Sequence, residues 1–159
     1  MAMSNNESLN ALVSQIGERS GLSLELDARG SCAIEYGLAF EIVLTSCDNG
    51  DSVLLHSPIQ FLDQKNALDQ LRRCLELSLY GAETGGGALG LDPESAAIVL
   101  WRRLHIADLD SHALEEAIIA FASASDLVRE RLSAPDHGDG DESFEPSLAF
   151  AGDTALMRI

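Results

Sequence analysis

The chain has few basic residues, few aromatic residues and no long apolar run. Ten Lys and Arg stand against 26 Asp and Glu, for a formal net charge of -16. Phosphate backbones and anionic bilayers attract cationic surfaces, so this balance argues against nucleic acid and against acidic membranes. It favours solubility and basic or neutral protein partners. Aromatic residues are 5% of a chain that is 46% hydrophobic, so the core is aliphatic. No apolar stretch approaches the ~20 residues that a membrane-spanning helix needs. Cys32, Cys47 and Cys74 show no short pairing or metal-type spacing and read as free thiols of a reducing cytoplasm. Met1 to Glu7 offers neither a basic n-region nor an apolar h-region, so it does not read as a secretory signal.

Catalytic signatures are equally scarce. Gly81, Gly85, Gly86 and Gly87 suggest a phosphate loop, but Ala88-Leu89 follows where a P-loop needs Lys and Ser or Thr. No Gly-x-Ser-x-Gly elbow occurs, and no cysteine lies in a nucleophile context. His56 falls at a strand end and reads as a surface or edge residue. The most site-like string is His105 to His112, where His105, Asp108, Asp110 and His112 offer divalent-metal ligands. A metal-binding hydrolase or regulator is the alternative function built on it. The plainer reading is that Asp110 or Ser111 caps the last helix, with Glu115 and Glu116 complementing its dipole.

Periodicity organises residues 1–132 as one unit of order α-β-β-β-α-β-β-α, a two-layer α+β sandwich with a mainly antiparallel sheet. Ser4 to Glu7 fits a capping box ahead of Leu9, Leu12, Val13 and Ile16, and Gly21 is a stop signal. Leu22, Leu24 and Leu26 fit a short strand or an extended connection. Strands follow at Cys32 to Tyr36, Ala39 to Cys47 and Ser52 to Ser57, the last ending at Pro58, with a tight hairpin at Asn49-Gly50. The second helix, Asp63 to Leu79, is apolar on more than one side, which calls for two covers, the second often another subunit. Gly81 to Gly87 reads as a flexible break before strands Ala88 to Leu91 and Ala97 to Arg103. The last helix places Leu114, Ile118, Phe121, Ser125, Val128 and Leu132 on one stripe. Residues 133–159 carry six acids against Arg158 and read as a disordered acidic tail.

This order of elements resembles the class I type III secretion chaperones, the Tir-chaperone family, across Leu9 to Leu132. The stretches that carry the likeness are Ala33-Ile34-Glu35-Tyr36 before the Phe40 strand, Leu71 to Gly86, Ala88 to Ser95, and Val99-Leu100-Trp101-Arg102-Arg103-Leu104. The helix with Leu114, Ala117, Ile118 and Phe121 completes it. The resemblance implies a cytoplasmic, cofactor-free homodimer that is not an enzyme and holds the N-terminal region of secreted effectors in non-globular form. It implies a dimer interface at Leu68, Leu71, Leu75, Leu79, Leu89 and Leu91. It implies partner binding at Leu12, Ile16, Ile34, Phe40, Ile42, Val99 and Trp101. The acidic tail after Leu132 is longer than the family pattern needs, and His105 with its neighbouring Asp residues has no counterpart in it. A same-fold adaptor for a non-secreted protein has the same binding physics.

Overall fold

The computed structural model describes residues 5–36 and 40–134. Helix α1 spans Asn5–Ser20, and strands β1 (Ser31–Tyr36), β2 (Phe40–Cys47) and β3 (Ser52–Phe61) follow. Then come α2 (Ala67–Ser78), β4 (Ala88–Asp92), β5 (Ala97–His105) and α3 (Ser111–Ser133). The five strands form one sheet of order β1-β2-β3-β5-β4, antiparallel at every pairing. The α+β two-layer architecture expected from the sequence is the one observed.

Each helix contributes an apolar stripe to one core. Leu9, Val13 and Ile16 of α1 recur at helical spacing and are buried, as are Leu114, Ile118, Phe121, Val128 and Leu132 of α3. Ser125 shares that stripe and satisfies its hydroxyl by donating to the Phe121 carbonyl at 2.8 Å. From α2, only Cys74 is fully buried. These side chains meet Ile42, Leu44, Val53, Leu55, Ile98 and Leu100 in a single cluster. The register sets Leu44 opposite Leu55, and Ile34 opposite Ile42, on the same side of the sheet. All three helices therefore cover one sheet face. Among the described residues no helix covers the other.

Local chemistry explains the departures from the expected boundaries. Strand β3 runs on past Pro58 to Phe61 instead of ending before it. Its pairing with β2 stops at His56, and a bulge between Pro58 and Gln60 leaves only β5 alongside, where a missing N–H costs little. Helix α2 starts at Ala67 and not at Asp63, because Asp63 accepts hydrogen bonds from the Lys65 N–H and the Asn66 amide in a turn. Residues 22–26 form an extended connection along α1, held by Leu26 N–H to Asn10 Oδ1 at 2.8 Å. Gly17 makes that approach feasible, since a Cβ there would meet the Leu22 carbonyl at 2.6 Å.

The β2–β3 hairpin is present, but its loop runs from Asp48 to Asp51, with φ of 53°, 56° and 93° at Asp48, Asn49 and Gly50. The expected flexible break at Gly81 to Gly87 is a hydrogen-bonded turn. Thr84 is fully buried and donates to the Gly87 carbonyl at 2.6 Å, and Gly85 lies against Ala124 of α3. Ser4 of the expected capping box, and the tail from residue 135 onward, lie outside the described residues.

Candidate functional site

The His105 to His112 string does not converge on a point. Asp110 is the N-cap of α3 and accepts from the His112 and Ala113 N–H groups at 3.0 and 2.7 Å. Those bonds, the one from Ala113 foremost, hold its carboxyl below the usual aspartate range. His112 turns along the helix to Glu116, 3.4 Å away. His105 ends β5 and Asp108 sits in the following turn, both exposed and lining a recess of about 550 Å³ with Leu12. Among the described residues, no three His, Cys, Asp or Glu are grouped to hold a metal. Arg19 fastens α1 to this end of α3, donating to Ser111 and pairing with Glu115 at 2.6 Å.

Among the described residues, two apolar surfaces stand uncovered. The first lies on α2 and β4. Leu68, Leu75 and Leu79 are 80%, 76% and 61% exposed. Leu71 is half-buried, and with Leu75, Cys74, Leu89, Leu91 and Ile98 it lines a groove of about 280 Å³. Five of the six residues expected at a dimer interface thus share one face or groove, and Leu79 follows at the end of α2. Leu77, on the other side of α2, packs toward the core. β4 is also a sheet edge.

The second is the open sheet face. One register row crosses all five strands as Ala33, Val43, His56, Trp101 and Ala88. Val99 and Leu54 flank it, both half-buried, and Trp101 is 40% exposed. The indole lies across Gly90 of β4, where a Cβ would sit 3.7 Å from it in ordinary contact. His56 is not a strand-end residue but sits mid-strand, 3.4 Å from the Thr45 hydroxyl. Burial lowers its pKa, and the nearby Glu41 carboxylate partly opposes that shift.

The expected partner-binding residues divide between these environments. Val99 and Trp101 lie on the open face. Ile42 and Ile16 are core residues, because strand alternation and helical spacing point both toward the packed layer. Ile34 is half-buried on that same side at the β1 edge, and Leu12 packs against the core while lining the His105 recess. The side chain of Phe40 lies outside the described residues. Phe61, 74% exposed, was missed because Pro58 reads as the end of its strand. Its signal was the apolar residue three positions beyond a proline that only an edge can host.

No curated protein matches this sequence. Among solved structures, a chain of the ExsC–ExsE complex superposes with a TM-score of 0.70 at 17% identity, covering 82% of this chain and 97% of that one. A chain of the HopA1–SchA chaperone–effector complex gives 0.64 at 18%, covering 79% and 95%. The Yersinia pestis type III secretion chaperone SycH, in complex with a fragment of YscM2, gives 0.55 at 18%, covering 75% and 98%. These likenesses establish a shared fold. The sequence itself matches the model of the Tir chaperone protein (CesT) family over residues 11–127, from α1 into α3, and the chain belongs to that family.

Proposed function

We propose that the chain is a cytoplasmic type III secretion chaperone that binds the N-terminal region of one or more effectors and keeps it secretion-competent. The observation that carries this reading is the family match across residues 11–127. Two of the similar solved structures, described as a chaperone–effector complex and a type III secretion chaperone complex, support it. It acts by binding alone: the partner's segment loses conformational entropy, offset by burial of a wrapped apolar interface.

In this reading the α2–β4 surface joins two copies of the chain. Fully burying a leucine is worth about 1.5–3 kcal/mol, so covering Leu68, Leu75 and Leu79 is a large incentive to associate. The effector segment then runs over the open sheet face at Val99 and Trp101 and past the β1 edge at Ile34, with Leu12 at the recess beyond. Ile16 and Ile42 support those contacts from the core.

Removal of the chain from its source cell tests the reading. One or a few secreted proteins are expected to become insoluble or degraded and to drop out of the secreted fraction. Unchanged secretion, with a resident protein losing its activity instead, would favour an adaptor of the same fold.

A further inference from the structure

We infer that the open sheet face selects a partner segment bearing a Lys or Arg near its apolar residues, with the cation seated on Glu35 and Glu41; this rests on the docking reading proposed above. The register puts Glu35 of β1 directly opposite Glu41 of β2. Both are exposed and alternate onto the same side as Ala33, Val43, His56 and Trp101. Like charges directly opposite in an antiparallel pair destabilise the sheet. Among the described residues, no ion pair joins either carboxylate to a cation. On this face His56 lies near Glu41, but burial lowers its pKa, and Arg103 is engaged with Asp48 at 3.1 Å.

The apolar and acidic parts of the face belong to one footprint. Glu41 is two strands from Trp101 and Glu35 is three, each also two residues along its strand, or about 12 and 16 Å at the usual spacings. About four or five extended residues bridge that span, as do about eight to eleven residues of helix. A segment with an aromatic or aliphatic anchor on Val99 and Trp101, and a cation at that separation, satisfies both ends together. It relieves the carboxylate repulsion while covering the apolar row. A segment with an acidic residue there meets repulsion instead.

The test uses two synthetic peptides of about 20 residues, long enough to cross this span, with identical apolar residues. One carries a Lys pair and the other a Glu pair. Each is titrated by fluorescence anisotropy against the full chain, the Glu35→Gln/Glu41→Gln variant and Trp101→Ala. The unaltered chain is expected to bind the Lys peptide at least about tenfold tighter, and the double variant to reduce that ratio below about threefold. The double variant removes only two of 26 acidic residues, so attraction by the overall charge stays nearly intact. Trp101→Ala should weaken both peptides and leave their ratio. A tenfold preference surviving in the double variant assigns selectivity to net charge and overturns the inference. Equal binding of both peptides to the unaltered chain also overturns it. Failure of both peptides to bind, or binding of the Lys peptide that Trp101→Ala leaves unchanged, instead sinks the docking reading on which it rests.

Discussion

The two faces of the sheet are built from the same five strands and carry opposite residue types. On one, Ile42, Leu44, Val53, Leu55, Ile98 and Leu100 are fully covered by three helices. On the other, Val43, Leu54, His56 and Val99 are half-buried and Trp101, Glu35 and Glu41 reach solvent. Alternation alone separates the two sets, since successive side chains point to opposite sides. The covered face follows the rule for a core in being mainly aliphatic, with buried Ser57 among its inward positions and half-buried Arg102 opposite Leu55 at its side. The open face breaks the rule for a solvent surface, because a tryptophan and several aliphatics stand where polar residues suffice. It also sets two like charges opposite each other. Features that cost stability in the isolated chain and fall on one surface point to a partner.

The sharpest contrast is in stability. Leu55→Ala, which opens a cavity on the covered face, should cost about 2–5 kcal/mol by denaturant unfolding. Val99→Ala, half-exposed opposite it, should cost less than about 1 kcal/mol while weakening partner binding. Equal losses would mean that both faces act as core.

Association comes next. Leu75→Asp is expected to give a folded monomer by light scattering, because it places an unpaired charge in the proposed contact and little in the core. Leu71→Asp should also disrupt the dimer, with some loss of fold because Leu71 is half-buried. A dimer unchanged by Leu75→Asp would remove α2 from the interface.

Acid sensitivity is a smaller effect and tests the helical layer. The folded-state pKa of Asp110 is depressed by its cap bonds, so its contribution is fully present above the unfolded aspartate value. It is lost as pH falls through the folded value. Asp110→Ala should lower the melting temperature near neutral pH, with the difference shrinking at acid pH. The smallest change expected is a gain: Glu41→Gln should stabilise the free chain by about 0.5 kcal/mol through relief of the Glu35 repulsion. A loss of stability there would mean that the two carboxylates do not oppose each other.

Much of this was legible in the sequence. The α3 stripe from Leu114 to Leu132, the Asp110 cap and the exposed row of α2 follow from spacing and capping chemistry. Which way a strand faces was harder to read. Ile42 and Val99 are both aliphatic strand residues, and only the register and the position of the helices show that one is core and the other surface. The run past Pro58 was hidden because its tolerance depends on β2 having ended, a fact about a neighbour. The packing of Thr84 inside a glycine-rich turn was hidden for a similar reason. Composition signals flexibility, and contact with α3 removes it.

The most direct test of the central claim is a pull-down of the tagged full chain from its source organism's lysate, followed by limited proteolysis of whatever is bound. A secreted protein protected only over an N-terminal segment, with the protection lost in Trp101→Ala, is the predicted result. A globular partner held through a folded domain and indifferent to Trp101→Ala would contradict it.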